Sequence, residues 1–155
     1  GQAAAVIARN YQQLAMKQPL YMTHSQASLE FVHSAGNAAE GIRMPSPALL
    51  IAQDLPESDK QKMVCLAYTK VYQDRFKTDV STFGGYAYDG LLMLVDAIKR
   101  AGSSDREKVR AAIEATHGFV GVSGIYNMSS TDHMGLDTSA FRMVEVSNGA
   151  FKEVH

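Results

Sequence analysis

The sequence predicts an α/β sandwich in which short parallel strands alternate with helices and a β-hairpin closes the chain. Along its 155 residues, segments with the apolar spacing of a helix alternate with short apolar runs. Such an order favours parallel strands that are connected through helices. Near the end, Asn148-Gly149 separates two extended runs. Because both residues tolerate positive φ, this pair indicates a hairpin whose return strand is residues 150–154.

The first part of the chain predicts helix, strand and helix. Residues 3–17 carry apolar side chains at the spacing of one helical face, and Pro19 closes that segment. Residues 20–23 are apolar and aromatic, which is typical of a buried parallel strand. Residues 28–35 predict a second helix. It is expected to end at Gly36, because glycine readily adopts a left-handed cap.

The middle of the chain predicts one more strand and a long helix. Residues 42–44 form the short strand, and the prolines of 45–56 interrupt regular structure because proline cannot donate to a ladder. Ser58 and Gln61 have the spacing of a capping box. They predict a helix that runs to about residue 77.

Two further helices and the last strands complete the prediction. Residues 85–101 form a long amphipathic helix, and a capping box opens another over residues 104–118. Residues 124–128 and 141–146 then predict strands. Two short parallel strands cannot form a sheet with two covered faces, so we expect upstream strands to complete it. The start without methionine, already in helical periodicity, indicates a fragment or a processed product.

Composition excludes several classes of partner. With 46% hydrophobic residues, a net charge of −1 and a pI near 6.6, the chain has no basic surface for nucleic acid or anionic lipid. No apolar run approaches the roughly 20 residues that span a bilayer. We therefore expect one globular domain, or a piece of a larger one, without nucleic-acid binding or membrane insertion.

The residues of metal and catalytic sites do not occur in the required patterns. No two of the five histidines have metal-binding helical spacing, and Cys65 is the single cysteine. There is no G-x-S-x-G nucleophile elbow, no G-x-G-x-x-G after a strand and no Walker motif. The sequence therefore predicts no metal, no cofactor and no enzymatic activity.

Two segments are candidates for contact with a ligand. His24-Ser25 follows the predicted strand 20–23, and ligands of open α/β sheets bind outside the carboxyl ends of strands. Alternatively, Ser25 belongs only to the capping sequence of the next helix. The diglycine Gly84-Gly85 leads into the helix 85–101 and allows a ligand to approach the main chain. Tyr86, at the start of that helix, either packs or lines a pocket.

Four segments, taken in order, resemble the branched-chain amino-acid binding proteins of ABC transporters. They are residues 1–7 (GQAAAVI), 35–41 (AGNAAEG), 86–90 (YAYDG) and 101–106 (AGSSDR). The resemblance implies a type I periplasmic solute-binding protein, with two Rossmann-like α/β lobes that close on one ligand. It implies that this chain is only about the second half, with a signal peptide upstream and a membrane permease as partner.

The resemblance also implies a division of the chain. Residues 1–77 would belong to the second lobe, residues 78–122 would pack with the absent first lobe, and residues 123–155 would return to the second lobe. Apolar surface would then be exposed, so we expect the fragment to self-associate. A ligand-sensing regulatory protein of the same fold is the alternative function.

The resemblance further bears on the ligand. Relatives that bind amino acids have an acidic residue in the loop that here reads Thr23-His24-Ser25-Gln26, which favours an aromatic or other organic acid over a branched-chain amino acid. A histidine, a hydroxyl and diglycine amides can hold a carboxylate, and Phe83 or Tyr86 offers a face for a ring. The candidate ligand-binding residues are His24, Ser25, Phe83, Gly84, Gly85 and Tyr86.

Overall fold

The computed structural model describes residues 2–154, which form five helices, five strands and four short 3₁₀ turns. The helices are α1 (Gln2–Gln13), α2 (Leu29–Ala35), α3 (Lys62–Phe76), α4 (Thr82–Ala101) and α5 (Arg106–Glu114). The strands are β1 (Arg43–Ser46), β2 (Phe119–Val120), β3 (Ile125–Tyr126), β4 (Arg142–Ser147) and β5 (Ala150–Glu153). The 3₁₀ turns are His24–Gln26, Gly36–Ala39, Ala48–Ile51 and Thr138–Ala140. Gly1 and His155, at the ends of the predicted units 1–77 and 123–155, lie outside the described residues.

The main sheet has the order β1-β4-β5, and both of its ladders are antiparallel. Met44 lies opposite Val144 in the first ladder, and Val146 lies opposite Phe151 in the second. The predicted terminal hairpin is confirmed as β4–β5. Asn148 and Gly149 at its turn both have positive φ, as the Asn-Gly pair predicted.

Among residues 2–154, parallel pairing occurs at one place. The predicted strand 20–23 forms a single parallel bridge, Tyr21 to Arg43, with hydrogen bonds from the Met22 amide to the Arg43 carbonyl and from the Arg43 amide to the Leu20 carbonyl. The predicted α/β class is correct, but the expectation of parallel ladders is wrong for the described sheet. The other neighbour of β1 is β4, which returns from the end of the chain in the opposite direction.

The core lies between the main sheet and the helices that precede it. Phe31 of α2, Met44 of β1 and Val144 of β4 are fully buried. Ala5 and Ala8 of α1 join the same cluster, since small side chains let α1 pack closely on α2. Helices α4 and α5 pack mainly on each other, beside this core.

Helix α2 begins where the sequence predicts, whereas helix α3 begins later. Helix α2 begins as expected, because the Ser28 hydroxyl accepts a hydrogen bond from the Phe31 amide. Helix α3 begins at Lys62, so the capping box of Ser58 and Gln61 does not form. Instead, the Asp59 carboxylate accepts the Gln61 amide at 2.8 Å, and the chain turns once more before the helix starts.

Helix α1 is shorter and helix α4 longer than the sequence predicts. Helix α1 ends at Gln13, and Ala15 has a left-handed φ of 51° that interrupts the helix before Pro19. Helix α4 begins at Thr82, where the Ser81 hydroxyl accepts the Phe83 amide. The diglycine therefore lies inside the first turns of α4, not in a loop before it.

Cys65 lies in the core and is expected to be unreactive in the folded chain. It is fully buried, its Sγ lies 3.5 Å from the Val122 carbonyl oxygen, and burial raises the pKa of the thiol to about 12. Because the thiolate is the nucleophile, native protein should resist alkylation by iodoacetamide at pH 8. Mass spectrometry should find one adduct only after denaturation; rapid labelling of native protein would contradict this burial.

Candidate functional site

The turn that carries His24 and Ser25 lies at one edge of the main sheet. Strand β1 ends at Ser46, which lies opposite Arg142 at the start of β4. Tyr21 pairs in parallel with Arg43, so the chain from Tyr21 to His24 runs alongside β1 toward the same edge. The edge therefore carries the turn His24–Gln26 and the residues that precede β4.

His24 lies at this edge beside an aromatic ring that the sequence analysis did not single out. The ring centroids of His24 and Phe141 are 5.5 Å apart, with the ring planes inclined at 57°. Both side chains are exposed to solvent, and Phe141 is 43% exposed. An exposed pair of rings presents both a ring face and imidazole nitrogens to solvent.

Ser25 occupies the middle of the same 3₁₀ turn. Its Oγ lies 2.8 Å from the Thr23 Oγ1, which donates to the Gln26 Oε1 at 2.7 Å. The Ser28 hydroxyl, not that of Ser25, caps α2. The capping alternative therefore holds for Ser28, whereas the Ser25 hydroxyl bonds within its own turn and is exposed to solvent.

Phe83 and Tyr86 form an aromatic corner at the start of α4. Their rings meet edge to face, with centroids 6.3 Å apart and an interplanar angle of 87°. Phe83 is 61% exposed, whereas burial raises the pKa of Tyr86. Phe83 and Ser25 line one groove of about 440 Å³ between α2 and the segment before α4. The structure thus brings Ser25 and Phe83 together.

The same groove carries two acidic side chains and a histidine. Glu30 and Asp79 place carboxylates on its wall, and His33 places an imidazole there. The loop 23–26 itself contains no carboxylate, as the sequence shows. The acidic side chains reach the groove from α2 and from the segment after α3, so only the fold reveals that they are close to Ser25.

The diglycine does not have the role that the sequence suggested. Gly84 and Gly85 are helical, and a Cβ at Gly84 would lie 2.9 Å from the Tyr68 hydroxyl. A Cβ at Gly85 would lie 3.0 Å from Leu49 and 3.1 Å from Val122. Gly85 is buried. The prediction that the diglycine precedes the helix is therefore wrong, because both glycines lie inside α4 and allow its close packing on its neighbours.

The hydrogen bonds of the first turn of α4 distinguish the two glycines. The first amides of a helix have no partner within it, and here the Ser81 hydroxyl accepts the Phe83 amide. The Gly85 amide already bonds the Ser81 carbonyl, so it is not available to a ligand. Of the two glycines, only Gly84 lies among the first three helical residues and is partly exposed.

Helix α4 also carries a buried carboxylate that sequence reasoning missed. Asp89 is 1% exposed, and it accepts the amides of Val122 and Ser123 at 2.9 and 2.8 Å. Burial raises the pKa of Asp89, and the two amide hydrogen bonds oppose that rise. An aspartate in the apolar run 85–98 is the signal that could have revealed it, since an acid there needs a partner.

Metal chemistry and membrane crossing receive no support from residues 2–154. Within that range, no three side chains of the types His, Cys, Asp and Glu come close enough to hold an ion. None of the helices in that range is both long and apolar enough for a bilayer span.

Several solved structures share this fold. Rp1789 of Rhodopseudomonas palustris strain CGA009 matches with a TM-score of 0.91 and 25% identity, over 100% of this chain and 46% of its own. An extracellular ligand-binding receptor of strain HaA2 matches with a TM-score of 0.91 and 26% identity, again over 100% and 46%. The leucine binding protein LivK of Thermotoga maritima matches with a TM-score of 0.80 and 25% identity, over 99% and 41%.

The family follows from the sequence match. The family model described as periplasmic binding protein matches residues 1–150, and the chain therefore belongs to that family. The resemblance to the branched-chain amino-acid binding proteins is confirmed by this match and by LivK. No functionally curated protein is detectably similar in sequence. The chain spans less than half the length of the solved structures that it matches.

Proposed function

We propose that this chain is part of the solute-binding component of an ABC importer, which binds a small carboxylate-bearing solute and presents it to a membrane permease. The observation that carries the proposal is the cluster of exposed polar and aromatic side chains at one sheet edge: His24 beside Phe141, and Ser25 in one groove with Phe83. Membership of the periplasmic binding protein family supports it. The role requires closure around the solute and no covalent chemistry.

The exposed face of α4 supports the proposal that residues 78–122 pack against a first lobe. The helix buries Gly85, Asp89, Met93 and Ala97 on one side. Its other side is apolar as well, and the exposed residues there are Leu91, Leu92, Leu94, Val95 and Ile98. An apolar stripe on a helix normally packs against another element. A first lobe of the size found in the matched structures would cover this face.

Self-association of the 155-residue chain should follow from that face. We expect the weight-average mass in sedimentation equilibrium to rise with concentration, because the α4 face is a contiguous apolar patch. Leu91, 60% exposed, is the most exposed of its leucines, and Leu91→Glu keeps good helix propensity while it charges the patch. This variant should stay monomeric to higher concentration.

The matched control is Leu14→Glu, which changes another exposed leucine (73% exposed) beyond the end of α1. It should associate like the unmodified chain. Equal association of Leu14→Glu and Leu91→Glu would show that the α4 face does not drive assembly, and a monomeric unmodified chain would contradict the prediction altogether.

The site supports a carboxylate ligand and leaves a place for an ammonium group. The His24 imidazole and the Ser25 hydroxyl can donate to a carboxylate, and Phe141 or Phe83 offers a ring face. Glu30 and Asp79 on the groove wall can accept from an ammonium group, which favours a branched-chain amino acid as the second candidate. The similar structure of LivK, a leucine binding protein, supports that candidate.

A thermal-shift screen distinguishes the candidate ligands. It uses the two-lobed protein, which here means the proposed full-length solute-binding protein of which this chain would be part. Aromatic and aliphatic carboxylic acids and the branched-chain amino acids should be tested separately. A ligand that binds only folded protein stabilises it by about 2.7 kcal/mol at a hundredfold excess over its Kd. A shift with simple acids supports the carboxylate site, and a shift with leucine or valine alone supports the amino-acid site. No shift with any of them would reject the proposed function.

A further inference from the structure

Asp89 is the one buried acidic or basic side chain that the structure describes in residues 2–154. An isolated carboxylate out of water is costly, so its surroundings must compensate it. Both of its oxygens are engaged: Oδ1 accepts the Val122 amide and Oδ2 accepts the Ser123 amide, while the Tyr126 hydroxyl lies 3.4 Å from Oδ2. The carboxylate thus binds the tip of the β2–β3 hairpin, which consists of residues 121–124.

The hairpin tip is shaped to receive that carboxylate. A Cβ at Gly121 would lie 2.5 to 2.8 Å from the Asp89 carboxylate atoms, so a side chain at residue 121 is excluded. The Gly121 amide bonds the Gly124 carbonyl and closes the turn. The amides of Val122 and Ser123 belong to no strand ladder, and their partner is the Asp89 side chain.

Helix α3 holds the opposite side of the same tip. The buried Gln61 side chain donates to the Gly121 carbonyl at 2.9 Å, and the Cys65 thiol donates to the Val122 carbonyl at 3.5 Å. The tip is therefore bonded to α4 through its amides and to the start of α3 through its carbonyls. It joins the α4–α5 pair to the main core.

The tip also contacts the turn of α4 that carries candidate ligand residues. Gly85 lies one helical turn before Asp89, and Val122 and Leu49 crowd the place of its missing Cβ. Leu49 belongs to the turn that follows β1. Phe83 and Tyr86 flank Gly85, so the position of their rings depends on how the tip and α4 are fixed to each other.

We propose that Asp89 is a positioning residue, which seats the β2–β3 tip and thereby holds the first turn of α4, with Phe83 and Tyr86, against the sheet edge. That Phe83 and Tyr86 contact a ligand rests on the proposed function. That Asp89 holds them in place can be tested in this chain alone. Asp89 does not contact solvent and so does not touch the ligand.

The test compares Asp89→Asn with Asp96→Asn in the 155-residue chain. Asparagine keeps the size of Asp89 but turns one acceptor into an NH₂ group that faces an amide N–H. Asp96 lies on the same helix, partly exposed and paired with Arg100, which makes it the matched control. Amide exchange at Val122 or Ser123 should accelerate at least about tenfold in Asp89→Asn and stay unchanged in Asp96→Asn.

The amide NMR signals of Phe83 and Tyr86 distinguish a positioning role of Asp89 from a role in stability alone. These should move in Asp89→Asn under conditions in which the protein is fully folded, and should stay in place in Asp96→Asn. In the two-lobed protein, solute affinity should fall about tenfold with Asp89→Asn, since small misplacements of binding groups are costly. Faster exchange with unmoved signals and unchanged affinity would overturn the proposal.

Two further outcomes keep the test decisive. If Asp89→Asn fails to fold, amide exchange is measured in the unmodified chain instead. The Val122 and Ser123 amides should then exchange as slowly as those of β4, although they lie in a turn. Fast exchange of these two amides would overturn the proposal. If no solute binds the two-lobed protein, the proposed function fails, while the exchange and NMR signals still decide whether Asp89 positions the first turn of α4.

Discussion

Replacing His24 by alanine is expected to weaken the affinity of the two-lobed protein for its solute by about 10- to 100-fold, because a hydrogen bond to a charged group contributes about 1.5–3 kcal/mol. His24 is exposed at the sheet edge, beside Phe141, and no helix or strand depends on it. Its removal should leave the unfolding midpoint almost unchanged. Isothermal titration calorimetry with the best solute from the screen measures the loss.

The control for this prediction is His117→Ala. His117 is also exposed, but it lies between α5 and β2, away from the edge that carries His24. Its substitution should leave the Kd within about twofold, as expected for a surface change away from the site. If His24→Ala and His117→Ala bind the solute equally well, His24 is not a ligand-binding residue and the proposed site lies elsewhere.

Replacing Gly121 by alanine is expected to destabilise the chain by about 3 kcal/mol or more. The new methyl group would lie within 2.8 Å of three Asp89 atoms, so the carboxylate must leave its place. Overpacking costs about 1–3 kcal/mol, and each buried amide that loses its partner costs about 1–3 kcal/mol more. Urea unfolding of the 155-residue chain at low concentration measures the change.

Gly90→Ala is the matched substitution for comparison. Gly90 lies next to Asp89 in α4, is exposed, and has nothing within 4 Å of the place of its Cβ. Alanine there should stabilise the chain by roughly 0.5–1 kcal/mol, because glycine is unfavourable within a helix. A Gly121→Ala chain as stable as Gly90→Ala would contradict the described contact between the hairpin tip and Asp89.

Local signals in the sequence predicted much of the fold. The helix over residues 28–35, the Asn148-Gly149 turn and the apolar spacing along α4 each depend on neighbours within a few residues, so the sequence displays them directly. The start of α3 could not be predicted in this way. Asp59 competes with Ser58 for the turn, and its carboxylate also pairs with Arg142, which is distant in the chain.

The candidate site was predicted less completely, because its partners come from distant segments. The position of His24 after a short extended segment could be inferred, but its neighbour Phe141 is 117 residues away in the sequence. The glycines 84 and 85 were misinterpreted for a similar reason. The sequence shows that residues 84 and 85 have no side chains. Only the fold shows that Tyr68 and Leu49 occupy the space where the Cβ atoms would be.

The central claim is that the sheet edge binds the carboxylate of a small solute. The most direct measurement is a pair of calorimetric titrations of the two-lobed protein, one with the best acid from the screen and one with its neutral carboxamide. We predict that the acid binds and that the carboxamide binds at least about 100-fold more weakly, because the carboxamide lacks the charged acceptor that the donors of the site would bind. Equal affinity for both compounds would contradict a carboxylate-binding site.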